Sequence, residues 1–175
     1  LRDQGFAIRE RAEDGIDVAV RGGIAPPDSP SIIAVPVMRF RRLAVASPAY
    51  LKRRGTPRHP RDLARHEALG HGPAGVRWIF SRDNDEVVEV SPRCRLRSTA
   101  PIVLRDWARD GAGIALLPEW LVPTTDASLV RLFDGWRSPE VEAWALHRVE
   151  HAHSKTPRIR AVVSALRRNL FERRG

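Results

Sequence analysis

The chain has 175 residues, 42% of them hydrophobic, so it is long enough to bury the core of one ordinary domain or two small lobes. It contains no run of about 18 apolar residues, which argues against a membrane-spanning helix, and the charges in residues 1–15 argue against a signal peptide. Its single cysteine, Cys94, excludes an intrachain disulfide framework, and we expect a folded protein of the cytoplasm.

The first predicted strand covers residues 16–20, which are apolar apart from one aspartate. It ends at Arg21 and Gly22, and residues 1–14 are predicted as a helix that leads into it. Residues 25–36 contain four prolines, and their composition indicates an extended connector between this strand and the next.

Residues 43–46 are wholly apolar and predict a buried strand, followed directly by a helix. Ser47 is a typical N-cap residue, and Pro48 suits the first helical position. Gly55 is the predicted stop of this helix.

Residues 94–118 show the clearest pattern, which is strand, helix and buried strand. Ser98 and Thr99 are N-cap types that precede Pro101, and two glycines separate the helix from an apolar strand at 114–117. Because the loops of this crossover are short, we expect the two strands to be parallel, in a sheet covered on both faces.

An amphipathic helix is predicted to open at Thr156 and Pro157. Its apolar face holds Ile159, Val162, Val163, Leu166 and Leu170, and its basic face holds Arg158, Arg160, Arg167 and Arg168. We interpret this helix as one that docks on the protein, with a solvated outer face.

The sequence offers little catalytic chemistry. No serine lies in a Gly-x-Ser-x-Gly pattern, so a hydrolase lacks its nucleophile. His147, His151 and His153 are interpreted as surface residues rather than a metal site, because they lack a ligand pattern. We expect no metal, no cofactor and no enzymatic activity.

The best site signal lies where helices follow strands. Ligands of open parallel sheets bind outside the carboxyl ends of the strands, where we expect Ser98, Thr99 and Ser47. Hydroxyls and backbone N–H groups at a helix N-terminus can bind a carboxylate. The alternative is that each of these residues only caps its own helix.

The net charge of +9 leaves a second alternative open, a small basic nucleic-acid-binding protein. We weigh it lower because the arginines are scattered along the chain rather than gathered in one stripe.

Three sequence segments carry a resemblance to a known family. They are GIDVAVRGG at residues 15–23, RRLAVASPAYLKRRGTPRHPRDLARHEAL at 41–69 and WARDGAGIALLPEWLV at 107–122. Together with the PRIRAVVSAL helix near the end, they make nearly the whole chain similar to the effector-binding domain of LysR-type transcriptional regulators.

This resemblance implies an α/β, periplasmic-binding-protein-like fold of two lobes with parallel-rich sheets. Residues 1–42 would form part of the first lobe and residues 43–140 the second. Residues 141–175 would supply a return strand and a C-terminal helix that packs on the first lobe.

The resemblance also implies a small-molecule effector, which we expect to be a carboxylate, in the cleft between the lobes. The positions that match the family's cleft are Arg21, Gly22, Ser47, His71, Gly72, Ser98 and Thr99. The family commonly places a residue such as asparagine near Thr99, so the hydroxyl is a departure.

The family further implies self-association as a dimer or tetramer, and DNA contact only through an N-terminal winged helix-turn-helix head. Neither this head nor the opening strands of the first lobe are visible in the sequence, so we expect an incomplete first lobe. A solute-binding protein of a transport system remains the alternative within the same fold, and it should carry an export signal.

Overall fold

A computed structural model describes residues 17–23, 25, 26, 28, 30–72, 77–83, 85–148 and 157–170. The described residues up to Arg39 and those from Val141 onward form one compact unit, and Phe40–Glu140 form the second. None of the helices described is both long and apolar enough to cross a lipid bilayer.

The elements follow one another in a mixed α/β order. The strands are β1 (Ala19–Gly23), β2 (Ile32–Phe40), β3 (Arg42–Ala46), β4 (Ala68–His71), β5 (Trp78–Ser81), β6 (Val87–Val90), β7 (Cys94–Ser98), β8 (Ile114–Pro118), β9 (Val130–Arg131) and β10 (Val141–Arg148). The α-helices are α1 (Pro48–Arg54), α2 (Pro101–Arg109) and α3 (Pro157–Leu170), and short 3₁₀ helices cover Pro60–Arg65 and Glu119–Leu121.

The first unit contains a three-stranded sheet in the order β1–β10–β2, with β1 antiparallel to β10. Among the strands described, β2 is an edge strand. This position suits Pro36, because proline has no N–H to donate to a neighbouring strand. An ion pair of 2.9 Å between Arg39 and Glu142 links β2 to β10.

Two predictions for this unit need correction. The strand predicted at residues 16–20 is observed at Ala19–Gly23, so Arg21 and Gly22 lie within the strand rather than after it. Pairing with β10 supplies the backbone hydrogen bonds there and outweighs the weak strand preference of glycine. Residues 32–36, predicted as connector, begin β2. The helix predicted over residues 1–14 lies outside the described residues.

The helix α3 confirms the amphipathic helix predicted from Pro157. Ile159 and Val163 are buried, but Val162, predicted on the same face, is 47% exposed. Neighbouring helical residues point about 100° apart, so the buried stripe is narrower than the apolar pattern indicates. The side chain of Leu170 lies outside the described part of the chain.

The second unit is built on a five-stranded sheet in the order β7–β4–β8–β3–β9. The strand β4 lies between β7 and β8 and runs parallel to both, and α2 connects β7 to β8. The strand, helix and buried strand predicted for residues 94–117 are therefore confirmed, with β4 inserted between the two parallel strands.

The direction of β3 corrects the expectation of parallel strands. β3 runs antiparallel to β8 and to β9, so the sheet is mixed. A strand buried on both faces has the same apolar pattern in either direction, and the sequence therefore could not reveal this. The carboxyl end of β3 consequently lies at the opposite edge of the sheet from the carboxyl ends of β4, β7 and β8.

Both faces of the sheet are covered, as predicted. One face, called here the α2 face, packs sheet residues against α2 through Val45, Leu69, Leu104, Ala108, Ala115 and Leu117. The other, called the hairpin face, packs against α1 and the antiparallel hairpin β5–β6 through Ala44, Ala46, Tyr50, Leu51, Ala68, Trp78, Phe80, Val88, Ile114 and Leu116. Most of the apolar burial in this unit therefore comes from these two layers.

The helix α1 begins and ends as predicted. The hydroxyl of Ser47 accepts a hydrogen bond of 3.3 Å from the backbone N–H of Tyr50, and Pro48 is the first helical residue. The chain leaves the helix at Gly55, whose φ of 83° is a left-handed conformation that favours glycine.

Tyr50 anchors α1 to the start of β4. Its buried hydroxyl accepts the backbone N–H of Glu67 at 3.0 Å and donates to Nδ1 of His66 at 3.2 Å. Burial, reinforced by the nearby charge of Arg54, lowers the pKa of His66 and so favours the neutral ring, which can accept this bond.

Candidate functional site

The carboxyl ends of β4 and β7 lie side by side at one edge of the second unit's sheet. The parallel register pairs His71 with Ser98, and the backbone N–H of Gly72 donates to the carbonyl of Ser98 at 3.1 Å. Thr99 follows Ser98 directly. The fold thus brings His71, Gly72, Ser98 and Thr99 together, and we call these four residues the carboxyl edge.

A side-chain contact fixes the His71 ring across this edge. Nε2 of His71 lies 3.1 Å from the carbonyl oxygen of Thr99. A carbonyl can only accept, so Nε2 carries the hydrogen and donates it. Nδ1 of the exposed ring remains available, as an acceptor when the ring is neutral and as a donor when it is protonated.

The start of α2 differs from the prediction that Ser98 or Thr99 caps it. The N-cap residue is Ala100, and no side chain caps the helix. Oγ of Ser98 instead accepts the backbone N–H of Ala100 at 3.1 Å, which leaves the hydroxyl hydrogen of Ser98 available to an anion. Pro101 is the first helical residue, as predicted.

Ser47 does not belong to this group. It follows the carboxyl end of β3, and because β3 is antiparallel to β8, that end faces the amino end of β8. The side chain is buried, and its oxygen accepts the N–H of Tyr50 as the cap of α1. The expectation that Ser47 shares an edge with Ser98 and Thr99 is therefore wrong.

Arg21 and Gly22 lie in the other compact unit, within β1. They pair with Trp144 and Ala143 of β10. Arg21 is half-buried, and Gly22 is exposed.

One charged residue at the same end of the sheet as the carboxyl edge is missing from the sequence-based set. Arg42 begins β3 and pairs with Pro118, the last residue of β8. Its guanidinium is half-buried, and burial lowers its pKa from the ordinary value. The signal in the sequence is an arginine directly before a wholly apolar strand, a pattern that the scattered arginines obscure.

The part of the chain that the structure describes shows neither a metal site nor an activated cysteine. No group of three or more His, Cys, Asp or Glu side chains is placed to hold a metal ion there. Cys94 is a half-buried free cysteine, and burial raises the pKa of its thiol, which disfavours the reactive thiolate.

Comparison with known families identifies the domain. The model of the LysR substrate binding domain matches residues 3–171. The chain belongs to the LysR substrate-binding domain family. This confirms the resemblance read from the sequence, together with its periplasmic-binding-protein-like α/β fold.

Two curated relatives are regulators of transcription. The HTH-type transcriptional regulator PtxR of Pseudomonas aeruginosa is 36% identical over 158 residues, which covers 89% of this chain and 49% of PtxR. The probable HTH-type transcriptional regulator LtrA of Klebsiella pneumoniae is 39% identical over 61% of this chain and 34% of LtrA. The chain therefore spans about half or less of these relatives.

Solved structures of LysR-type regulators show the same fold. The regulatory domain of AphB from Vibrio vulnificus has a TM-score of 0.69 at 28% identity, covering 87% of this chain and 76% of that one. The regulatory domain of CrgA from Neisseria meningitidis has a TM-score of 0.71 at 25% identity, and the match covers 91% of this chain and 78% of that one. The LysR domain described here thus has structural counterparts over most of its described length.

Proposed function

We propose that this LysR domain senses a small carboxylate, which binds at the carboxyl edge formed by His71, Gly72, Ser98 and Thr99. The observation that carries the proposal is the pairing of His71 with Ser98 at the ends of two parallel strands. Ligands of open α/β sheets bind outside this end of the strands, where the following helices begin.

The groups at this edge suit an anion. The Thr99 side chain is exposed, and the Ser98 hydroxyl retains a hydrogen to donate. The N-terminus of α2, which has no side-chain cap, carries the positive end of the helix dipole. These donors favour a carboxylate over a neutral ligand of the same shape.

We propose for Ser47 a structural role as the cap of α1, because it lies at the other end of β3. Arg21 and Gly22 belong to the other unit, and their contribution to binding stays a prediction. The unit Phe40–Glu140 is proposed as the second lobe expected from the family resemblance.

We propose that the domain acts without catalysis, as part of a self-associating transcription regulator in the cytoplasm. The relatives named above are described as HTH-type regulators of transcription. We therefore assign DNA contact to a helix-turn-helix segment and not to the domain itself. A ligand that binds one conformation of the domain more tightly shifts the population toward it, and regulation follows from that shift.

A thermal-shift screen of small carboxylates on the 175-residue chain tests the proposal. An acid present at about 100 times its Kd adds about 2.7 kcal/mol to the stability of the folded state and should raise Tm by several degrees. The double variant Ser98→Ala/Thr99→Val should lose this rise, whereas Ser47→Ala should keep it. An unchanged rise in the double variant would refute the site.

A further inference from the structure

Arg42 lies level with the carboxyl edge, two strands away from it. β4 and β8 pair Leu69 with Ala115, and continuing this register sets Gly72 level with Pro118. Pro118 in turn pairs with Arg42 on β3. Neighbouring strands are separated by about 4.8 Å, so the backbone of Arg42 is about 10 Å from that of Gly72 and about 14 Å from that of Thr99, which follows β7.

The side chain of Arg42 lies on the hairpin face of the sheet. Side chains alternate along a strand, and Ala44 and Ala46 of β3 both pack on that face. Gly72 carries no side chain, and a Cβ added there would meet no atom within 4 Å. Within the described ranges, therefore, no side chain covers the end of β4 at this point.

The guanidinium of Arg42 has no partner in the part of the chain that the structure describes. Its Nε is shielded from solvent and makes no hydrogen bond, whereas the backbone N–H of Arg42 donates to Oγ of Ser138 at 2.7 Å. The neighbouring arginines differ, since Arg39 pairs with Glu142 and Arg41 donates to the carbonyl of Ser138 at 3.0 Å. A half-buried charge without a partner is costly, and an anion placed beside it would remove much of that cost.

Arg97 adds a second guanidinium to this face. It pairs with Gly70 on β4, and its side chain lies over that glycine, with Nη1 3.1 Å and Cγ 3.2 Å from where a Cβ would be. The hairpin face near the carboxyl edge thus holds arginines on both sides of β4 and β8. By the same alternation the side chains of His71 and Ser98 are directed toward the α2 face, so an acid that reaches both Ser98 and Arg42 must lie across the carboxyl ends of the strands.

We propose that Arg42 binds a second anionic group of the effector, so that the domain prefers acids with two carboxylates over acids with one. This inference rests on the proposed function, in which the first carboxylate binds at the carboxyl edge. The planar fork of the guanidinium suits a carboxylate through two parallel N–H donors.

The test compares acids of equal length on the 175-residue chain by calorimetric titration at fixed ionic strength. The pairs are succinate with butyrate, glutarate with pentanoate and adipate with hexanoate. The wild type should bind at least one diacid 10-fold or more tightly than its monoacid. Arg42→Met should bind that diacid only as tightly as the monoacid. Arg93→Gln, which removes a charge just before the amino end of β7, should retain the preference.

A measurement without ligand separates binding from folding. Removing an unpartnered half-buried charge should leave Tm of Arg42→Met equal to or higher than that of the wild type. A Tm lowered by several degrees would instead assign Arg42 to the stability of the fold and overturn the inference.

The outcomes also separate this inference from the proposed function. If Ser98→Ala/Thr99→Val abolishes acid binding while Arg42→Met keeps the diacid preference, the role of Arg42 is wrong and the carboxyl edge stands. If the wild type binds diacids and monoacids equally, Arg42 is likewise excluded. If no acid binds the wild type, the proposed function fails and the inference falls with it.

Discussion

Nε2 of His71 donates a hydrogen bond to the carbonyl of Thr99 across the ends of two parallel strands. This bond joins the residue that ends β4 to the one that follows β7, and it orients both the imidazole and the start of the loop into α2. Replacing His71 by Leu should weaken acid binding by about 3- to 10-fold, the worth of one net hydrogen bond.

His71→Gln provides the matched control for this prediction, because its amide N–H can donate to the same carbonyl. The Kd of the acid found by the screen is measured by titration for the wild type and for each variant, and the values are compared. Equal binding by His71→Leu and the wild type would show that the ring plays no part in orienting the site.

Ser47→Ala should lower stability without touching the ligand. The variant loses the hydroxyl that caps α1 at a buried position, and such caps contribute about 1 kcal/mol. Urea unfolding measures the loss, and titration measures the acid's Kd, which should stay within about twofold of the wild type because Ser47 lies at the opposite edge. A Kd raised tenfold or more would return Ser47 to the binding site.

The contrast between Ser47 and Ser98 shows how far sequence reasoning reaches. The local features of α1, its cap, its first proline and its final glycine, were predictable because they depend on neighbouring residues. The direction of β3 was not, since it depends on pairing with β8, about 70 residues later in the chain. Ser47 and Ser98 both lie between a strand and a helix that begins with proline, and the sheet topology places them at opposite edges.

Other differences have the same origin. Pro36 and Gly22 disfavour strands locally, yet both lie in strands of the first unit because of where the neighbouring strands lie. The guanidinium of Arg42 has no partner among the residues that the structure describes, and this could not be predicted either, because it depends on which carboxylates the fold brings near it.

The ion pair of Arg109 with Asp126 should make stability depend on pH. It links the end of α2 to the loop before β9 at 2.6 Å. The hydrogen bond from Arg109, helped by one from Ser128, lowers the pKa of Asp126 to about 2. A carboxyl whose pKa is lowered on folding stabilises the fold above its unfolded pKa of about 3.9. This contribution is lost as pH falls toward 2.

Asp126→Asn should therefore reduce the free energy of unfolding by about 1–2 kcal/mol at pH 7, after allowance for the partial exposure of Arg109. The difference in the free energy of unfolding between Asp126→Asn and the wild type should become smaller below about pH 4, as measured by urea unfolding at a series of pH values. Asp134→Asn, at an exposed carboxylate, serves as the control and should show little effect at either pH. A difference that stays constant from pH 7 to pH 3 would contradict the assignment.

The 175-residue chain should bind duplex DNA only weakly, despite its net charge of +9. Several arginines already pair with carboxylates, as Arg77 does with Glu89 and Arg137 with Asp83, both at 3.1 Å. Fluorescence anisotropy with a random duplex at 0.15 M salt should give a Kd weaker than about 10 µM. A submicromolar Kd that weakens steeply with salt would favour the nucleic-acid-binding alternative instead.

The crystal structure of this LysR domain with its most stabilising acid tests the central claim most directly. We predict one carboxylate within about 3.2 Å of both the Ser98 and the Thr99 hydroxyl oxygens, at the carboxyl ends of β4 and β7. An acid bound away from these residues, for example beside Ser47 at the other edge of the sheet, would contradict the account.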